Sequence, residues 1–146
     1  MTSSGSTAIL ALALVVVTFA PAGHAQNQER YKVRLSTVPM DGWMRATVAG
    51  SGSASAVLTG SKLTITGTFE RILTPATSAR LHSGVARGVR GPAVGDLTVS
   101  KAINGTIAGS IDLTPEQVQG LHKGQLYIQI SSEKAPEGNL WGWLLR

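Results

Sequence analysis

Histidines are the side chains best suited to metal binding and to proton transfer near neutral pH. This sequence has three, at positions 24, 82 and 122, together with no cysteine and eight scattered aspartates and glutamates. A metal site or an acid–base pair needs several such side chains to converge. The inventory therefore predicts no metal, no cofactor and no catalytic residue.

The two later histidines each have a structural interpretation that we prefer to a functional one. His122 falls at the end of a predicted short helix, where a cation meets the carbonyl end of the helix dipole, so it is interpreted as a surface cap. His82 lies two residues after Arg80 in a stretch close to a loop. We interpret it as a structural histidine, with a metal-ligand or proton-transfer role as the alternative.

Motifs for nucleophilic and nucleotide chemistry are also missing. No Gly-x-Ser-x-Gly elbow, phosphate-binding loop, dinucleotide fingerprint or His-Glu-x-x-His helix occurs. The serines lie in strand-like segments of small residues, where they serve packing and turns. We therefore predict that the protein is not an enzyme.

The charge pattern is mildly basic, with 13 Lys and Arg against eight Asp and Glu and a formal net charge of +5. Arg80, Arg87 and Arg90 fall within one short stretch and could form an anion-attracting loop. The sequence shows no basic stripe interleaved with aromatic residues, so we predict no nucleic-acid partner. Most other charged residues are interpreted as solvated, among them Arg30, Lys32 and Arg34 on one face of a strand.

The first 25 residues are uncharged and contain the apolar run Ala8–Ala20, followed by Pro21 and small residues. This layout is typical of a secretory signal peptide with cleavage after Ala25, although no Lys or Arg precedes the run. The run is shorter than the roughly 20 residues that a membrane-spanning helix needs. We expect an exported chain without a stable membrane anchor, periplasmic or secreted, whose residues 26–146 form a single domain.

Between turn signals, apolar residues alternate with small or polar ones, and this period of two predicts strands. Leu63, Ile65 and Phe69 would share one core face, for example. Eight or nine short strands with one helix are compatible with a closed barrel or with a Greek-key-like antiparallel β-sandwich, and we expect the sandwich. The nine candidate strands are Arg30–Val38, Arg45–Ala49, Gly52–Thr59, Lys62–Glu70, Ser78–His82, Asp96–Ser100, Gly105–Leu113, Gln125–Ser131 and Asn139–Leu145.

The segment Thr114-Pro115-Glu116-Gln117 combines a capping residue, a proline at the first helical position and a glutamine three residues after the cap. These are the features of a capping box with proline at the start of a helix. They predict a short helix through Leu121, the only helix that we expect.

Four segments, taken in order, resemble the chordin-type (CHRD) domain family. Residues 80–92, RLHSGVARGVRGP, are similar to the family's His-Ile-His-Gly segment and the Gly-rich loop that ends in Gly-Pro. Residues 113–121, 124–130 and 136–142 then follow the family's order of helix, Gly-x-Leu-Tyr strand and Pro-Gly-Gly strand. The resemblance is to bacterial-like members and covers about residues 31–145.

The resemblance implies an extracellular or periplasmic β-sandwich without catalytic activity, which in animal chordins belongs to a protein that binds secreted growth factors. Several family residues are replaced here. Arg80 and Ser131 stand where histidines are usual, and Asn139 and Trp141 replace the usual Glu and Arg. Only His82 of the three family histidines remains, which again predicts no metal.

The last two candidate strands would pair so that Leu126, Ile128 and Ile130 meet Leu144, Gly142 and Leu140 on the core face. The opposite face sets Tyr127 against Trp143, Gln129 against Trp141, and Ser131 against Asn139. The family usually has polar residues at positions 141 and 143, which places both tryptophans outward. Exposed tryptophans are typical anchors for a protein or a sugar ring. The alternative is that a loop, or the N-terminal segment with Trp43, covers them.

We therefore expect a non-enzymatic interaction module that binds another exported protein, an envelope polymer or a second copy of itself. The alternatives are a structural accessory domain of a larger periplasmic enzyme, and a relic of a metal-binding sandwich similar to copper-zinc superoxide dismutases. The predicted binding residues are Tyr127, Gln129, Trp141, Trp143, Arg80, His82, Arg87 and Arg90.

Overall fold

The computed structural model describes residues 15–17, 23 and 27–146, so the predicted signal peptide lies almost entirely outside the described residues. The described chain contains eight strands, one 3-10 helix and one α-helix. No helix in this part of the chain is long and apolar enough to cross a membrane. The elements are β1 (Gln28–Thr37), the 3-10 helix (Gly42–Ala46), β2 (Ser51–Thr59), β3 (Lys62–Glu70), β4 (Ala76–Ser83), β5 (Ala93–Val99), β6 (Gly105–Asp112), α1 (Pro115–His122), β7 (Leu126–Ser132) and β8 (Ala135–Trp143).

The strands form a closed antiparallel barrel in the order β1-β2-β3-β6-β5-β4-β7-β8, with β8 pairing back to β1. The prediction of an all-β fold is confirmed, but the predicted β-sandwich is wrong. A sandwich and a barrel require the same period-two alternation, because each has one buried face per strand. Within the barrel, β3 lies beside β6 while β4, β5 and β6 form a meander, which is a Greek-key arrangement.

The pairing divides the barrel into two halves joined by two short seams. Long ladders hold β1, β2, β3 and β6 together, and others hold β5, β4, β7 and β8 together. The β5–β6 seam contains only Thr98–Ala108 and Val99–Ile107. The β8–β1 seam contains Ser36–Trp141, Thr37–Leu140 and an isolated bridge between Lys32 and Leu145.

The inward faces fill the barrel with side chains of alternate residues. On β3, Leu63, Ile65 and Phe69 are buried as predicted. Gly67 lies on the same face, where an added Cβ would come within 2.6 Å of the Ala54 Cβ. Ala54 is the cross-strand partner of Gly67, so glycine at this position lets the paired strands β2 and β3 approach each other closely. Irregularities in the β4–β5, β4–β7 and β7–β8 ladders bend strands further, as closure of a barrel requires.

The predicted strand Arg45–Ala49 is wrong, because this segment begins within the 3-10 helix Gly42–Ala46. The Met44 carbonyl accepts hydrogen bonds from the backbone N–H groups of both Thr47 and Val48. The helical turn places Val48 in a small second core beside Val38. A short apolar alternation can thus arise from one helical turn packed on a strand end.

The helix prediction is confirmed. Thr114 accepts a hydrogen bond from the Gln117 backbone N–H, and the Gln117 side chain accepts one from the Thr114 backbone N–H. This reciprocal capping box fixes the start of α1 with Pro115 in its first turn. The helix buries Gly120 and Leu121 against the barrel.

The predicted register of the C-terminal hairpin is also confirmed. Tyr127 pairs with Trp143, Ile128 with Gly142, Gln129 with Trp141, and Ile130 with Leu140. The expected pairing of Ser131 with Asn139 does not form, because the ladder is irregular between Ile130 and Ser132. The Asn139 side chain is instead buried and bonded to the backbone N–H and C=O of Ala49, which ties β8 to the segment before β2.

Candidate binding groove

The outward faces of β4, β7, β8 and β1 bring six of the eight predicted binding residues together in two rows. In the first row, His82 pairs with Tyr127 and Tyr127 with Trp143. In the second row, Arg80 pairs with Gln129, Gln129 with Trp141, and Trp141 with Ser36 of β1. The two rows follow directly from antiparallel pairing, since cross-strand partners point to the same face.

Four rings of these rows form a continuous aromatic cluster. His82 stacks on Tyr127 with ring centroids 4.9 Å apart and planes 13° apart. Tyr127 lies 4.6 Å from Trp143 and 5.8 Å from Trp141, and the two indoles meet edge to face at 5.6 Å. These distances fall in the range of favourable aromatic pairs.

Tyr127 is only 1% exposed, so the expectation that it lies on the surface is wrong. The loop 84–92 between β4 and β5 covers it. The Gly91 N–H donates to the Tyr127 hydroxyl over 3.0 Å, and the hydroxyl donates to the Gly91 carbonyl over 3.3 Å. His82 Nδ1 lies 2.9 Å from the same carbonyl, and because a carbonyl can only accept, Nδ1 carries the proton. His82 therefore holds the loop in place.

Arg90 extends from this loop over the second row. Its guanidinium lies 5.7 Å from the centre of the Trp141 ring, within cation–π range. It also donates to the Gln129 side chain over 3.3 Å and to the Glu137 carbonyl over 2.9 Å. Gln129 donates to the Glu137 carbonyl as well. Arg90 and Gln129 are thus engaged in fastening the loop to the β7–β8 hairpin.

Trp141 and Trp143 remain half-buried and form the floor of an open groove of about 350 Å³. Arg87 of the 84–92 loop lies on one side of this floor. Lys32 and Arg34 of β1 also line the groove, and so does Arg146. The lining residues include no aspartate or glutamate, so the groove combines an aromatic floor with four cationic side chains.

One carboxylate lies close to these cations. Glu29 Oε2 accepts hydrogen bonds from the Tyr31 hydroxyl at 2.7 Å and from Arg146 at 2.6 Å, and lies 2.8 Å from His122 Nε2. The hydrogen bond from Tyr31 first, and then those from Arg146 and His122, lower the pKa of Glu29 from 4.5 to about 2. Glu29 therefore stays ionised and partly neutralises Arg146. His122 does end α1, but it binds Glu29 there.

Of the eight predicted binding residues, three line the groove, namely Arg87, Trp141 and Trp143, while His82, Arg90, Tyr127 and Gln129 lie beside it and hold the 84–92 loop. Arg80 points outward but forms an ion pair with Asp96 at 2.8 Å, away from the groove. His82 and His122 each have partners, and no three His, Asp or Glu side chains come together to hold a metal among the residues that the structure describes.

Sequence reasoning missed Lys32, Arg34 and Arg146 as groove residues. The alternation of charge on β1 was visible, but only the pairing of β1 with β8 places it beside the tryptophans. Trp43, which the alternative interpretation places over the two tryptophans, is 75% exposed on the 3-10 helix and borders a separate hollow of about 280 Å³. Trp43 does not cover the groove.

A family model described as CHRD domain matches residues 33–144, which is most of the chain. No curated protein and no solved structure matches significantly.

Proposed function

We propose that this chain, which belongs to the CHRD domain family, is a small non-enzymatic binding module that acts outside the cytoplasm. The family membership favours an extracellular-type binding module. We propose as its partner another exported protein, an envelope polymer or a second copy of the chain, and not nucleic acid.

The observation that carries this proposal is the groove over Trp141 and Trp143. Two half-exposed indoles beside four cations form a concave surface with both apolar and charged contacts. Aromatic and arginine side chains are the residues that most often dominate binding energy. His82 and His122 are both engaged in hydrogen bonds that position other groups, which supports a non-enzymatic role.

Capture of a partner from intact cells tests this proposal. The tagged full-length chain would be crosslinked in cells that express it, and the crosslinked species compared with those of Trp143→Ser. The matched control is Trp43→Ser, which removes an equally large and mostly exposed indole outside the groove. We expect a crosslinked species that is retained in Trp43→Ser and lost in Trp143→Ser.

Thermal unfolding of both variants distinguishes lost binding from lost folding. Because Trp143 is half-buried, its truncation should cost about 2 kcal/mol, below the roughly 3 to 5 kcal/mol for a fully buried tryptophan. Equal crosslinking of the wild type and of folded Trp143→Ser would refute the groove as the binding site. Loss of the crosslink in Trp43→Ser alone would move the binding surface to the hollow beside the 3-10 helix.

A further inference from the structure

We propose that the ligand of the groove is an acidic polysaccharide, whose sugar rings lie on Trp143 and whose carboxylates contact Lys32, Arg34 and Arg87. This inference rests on the proposed function and adds the chemistry of the ligand to it.

The first step is the arrangement of the charges. On β1 and the end of the chain, Ser36 lies opposite Trp141 and Lys32 opposite Leu145, so the same antiparallel register places Arg34 beside Trp143. Alternate residues of a strand are roughly 6.7 Å apart. Lys32 and Arg34 therefore form a short row of cations along β1. This row runs beside a second row along β8 and the end of the chain, formed by Trp141, Trp143 and Leu145. A linear polymer with regularly spaced anions matches such paired rows.

The second step is that these cations have no anionic partner of their own. Lys32, Arg34 and Arg87 form no ion pair within the described part of the chain, whereas Arg146 shares Glu29 with His122. Three uncompensated charges around one groove raise the local concentration of anions and steer them inward. An anionic ligand is thus favoured over a neutral one.

The third step separates a sugar polymer from a protein. A specific protein interface buries about 800 Å² per partner around a largely apolar centre. Here the apolar surface consists of Trp141, Trp143 and Leu145, with cations beside it. A groove of about 350 Å³ falls at the lower end of small-ligand sites. A chain of sugar rings presents a narrow apolar C–H face to an indole and polar groups at its edges, which this narrow floor accommodates.

The fourth step separates a sugar polymer from a single-stranded nucleic acid. Non-specific strand binding uses several aromatic platforms on which successive bases stack. The two indoles of the groove meet edge to face at 69°, and Arg90 already lies over the Trp141 ring. The groove therefore does not offer two parallel aromatic surfaces on which two successive bases could stack.

Binding of polygalacturonate oligomers, which are chains of uronic acid, tests the inference on the full-length protein. Titration calorimetry, with tryptophan fluorescence as a second signal, would compare them with neutral dextran oligomers, inorganic polyphosphate and oligothymidylate. We expect polygalacturonate to bind most tightly of the four, dextran not to bind measurably, and the affinity for polygalacturonate to fall steeply with salt.

Paired charge variants locate the site. Lys32→Ser with Arg34→Ser should weaken polygalacturonate binding about tenfold. Arg45→Ser with Lys62→Ser removes the same charge at exposed positions outside the groove, and should leave binding unchanged. Trp143→Ser should weaken polygalacturonate binding at least as much, but leave the binding of polyphosphate nearly unchanged, since only the sugar uses the indole.

Each contrary result overturns the inference. Tighter binding of oligothymidylate would identify a nucleic-acid groove, and equal effects of the two charge pairs would indicate attraction by net charge alone. If polygalacturonate does not bind while Trp143→Ser still abolishes the cellular crosslink, the acidic-sugar inference fails and the proposed function stands. If the crosslink is also independent of Trp143, both fail.

Discussion

Replacing Tyr127 with phenylalanine removes one oxygen atom from the contact that holds the 84–92 loop. The hydroxyl accepts from the Gly91 N–H at 3.0 Å and donates to the Gly91 carbonyl at 3.3 Å, while the ring stays stacked on His82. The carbonyl keeps its bond from His82, but the N–H of the half-buried Gly91 loses the hydroxyl to which it donates. Leaving such a donor unsatisfied costs about 1 to 3 kcal/mol. We therefore expect a loss of about 2 kcal/mol.

Thermal unfolding, urea denaturation and hydrogen exchange would measure this loss. For a domain of this size the melting temperature should fall by roughly 5 to 10 °C, with an unchanged urea m-value and faster exchange at the Gly91 amide. Tyr31→Phe is the matched control. The Tyr31 hydroxyl donates to Glu29 and accepts from Arg146, and these two groups keep their ion pair with each other, so its removal should cost less than the Tyr127→Phe change.

A different outcome would refute this reasoning. If Tyr127→Phe were as stable as the wild type and the Gly91 amide exchanged at the same rate, the hydroxyl would not hold the loop. A loss in Tyr31→Phe equal to that in Tyr127→Phe would show that any tyrosine hydroxyl has the same effect, and that the geometry at Gly91 is not special.

Three further predictions concern stability and processing. The bond from Tyr31 and the cations around Glu29 lower its folded pKa to about 2, so their stabilisation is present above pH 4.5 and is lost as the pH falls towards 2. In Glu29→Gln, the urea midpoint should therefore depend less on pH between 4.5 and about 2 than it does in the wild type. Gly67→Ala should destabilise the barrel by about 1 to 3 kcal/mol, as measured by thermal unfolding. Gly42→Ala is the control and should cost little, because a Cβ added at Gly42 meets no neighbouring atom within 4 Å. N-terminal sequencing of the exported protein should find Gln26 first, and a retained apolar run would contradict export by cleavage.

The parts of the fold that sequence alone predicted are those set by neighbouring residues. The capping box at Thr114 fixes its helix within four residues, and the alternation in 126–144 fixes the hairpin register, because a slip of one residue would expose Ile128 and bury Gln129. Closure into a barrel depends instead on the seam between β1 and β8 and on ladder irregularities, which leave no local pattern. The choice between sandwich and barrel was therefore not contained in the alternation.

The same distinction explains the candidate site. The pairing of Gln129 with Trp141 was predictable, because the two residues belong to one hairpin. The burial of Tyr127 was not, since it depends on how the 84–92 loop folds back to place Gly91 over the ring. The position of Arg34 beside Trp143 depends on a contact between strands more than 100 residues apart in sequence.

The seam between β1 and β8 is the last part of the barrel that can form during synthesis. A chain that emerges from its N-terminal end presents β1 first and β8 after the other seven strands, so the barrel cannot close until residues 135–145 have emerged. During that interval one edge of β1 has no partner, and open edges invite pairing with other chains. Lys32 and Arg34 lie along this edge, where charge discourages such pairing. The cations that line the finished groove thus also protect the unfinished barrel, and the groove itself exists only once β8 has paired with β1.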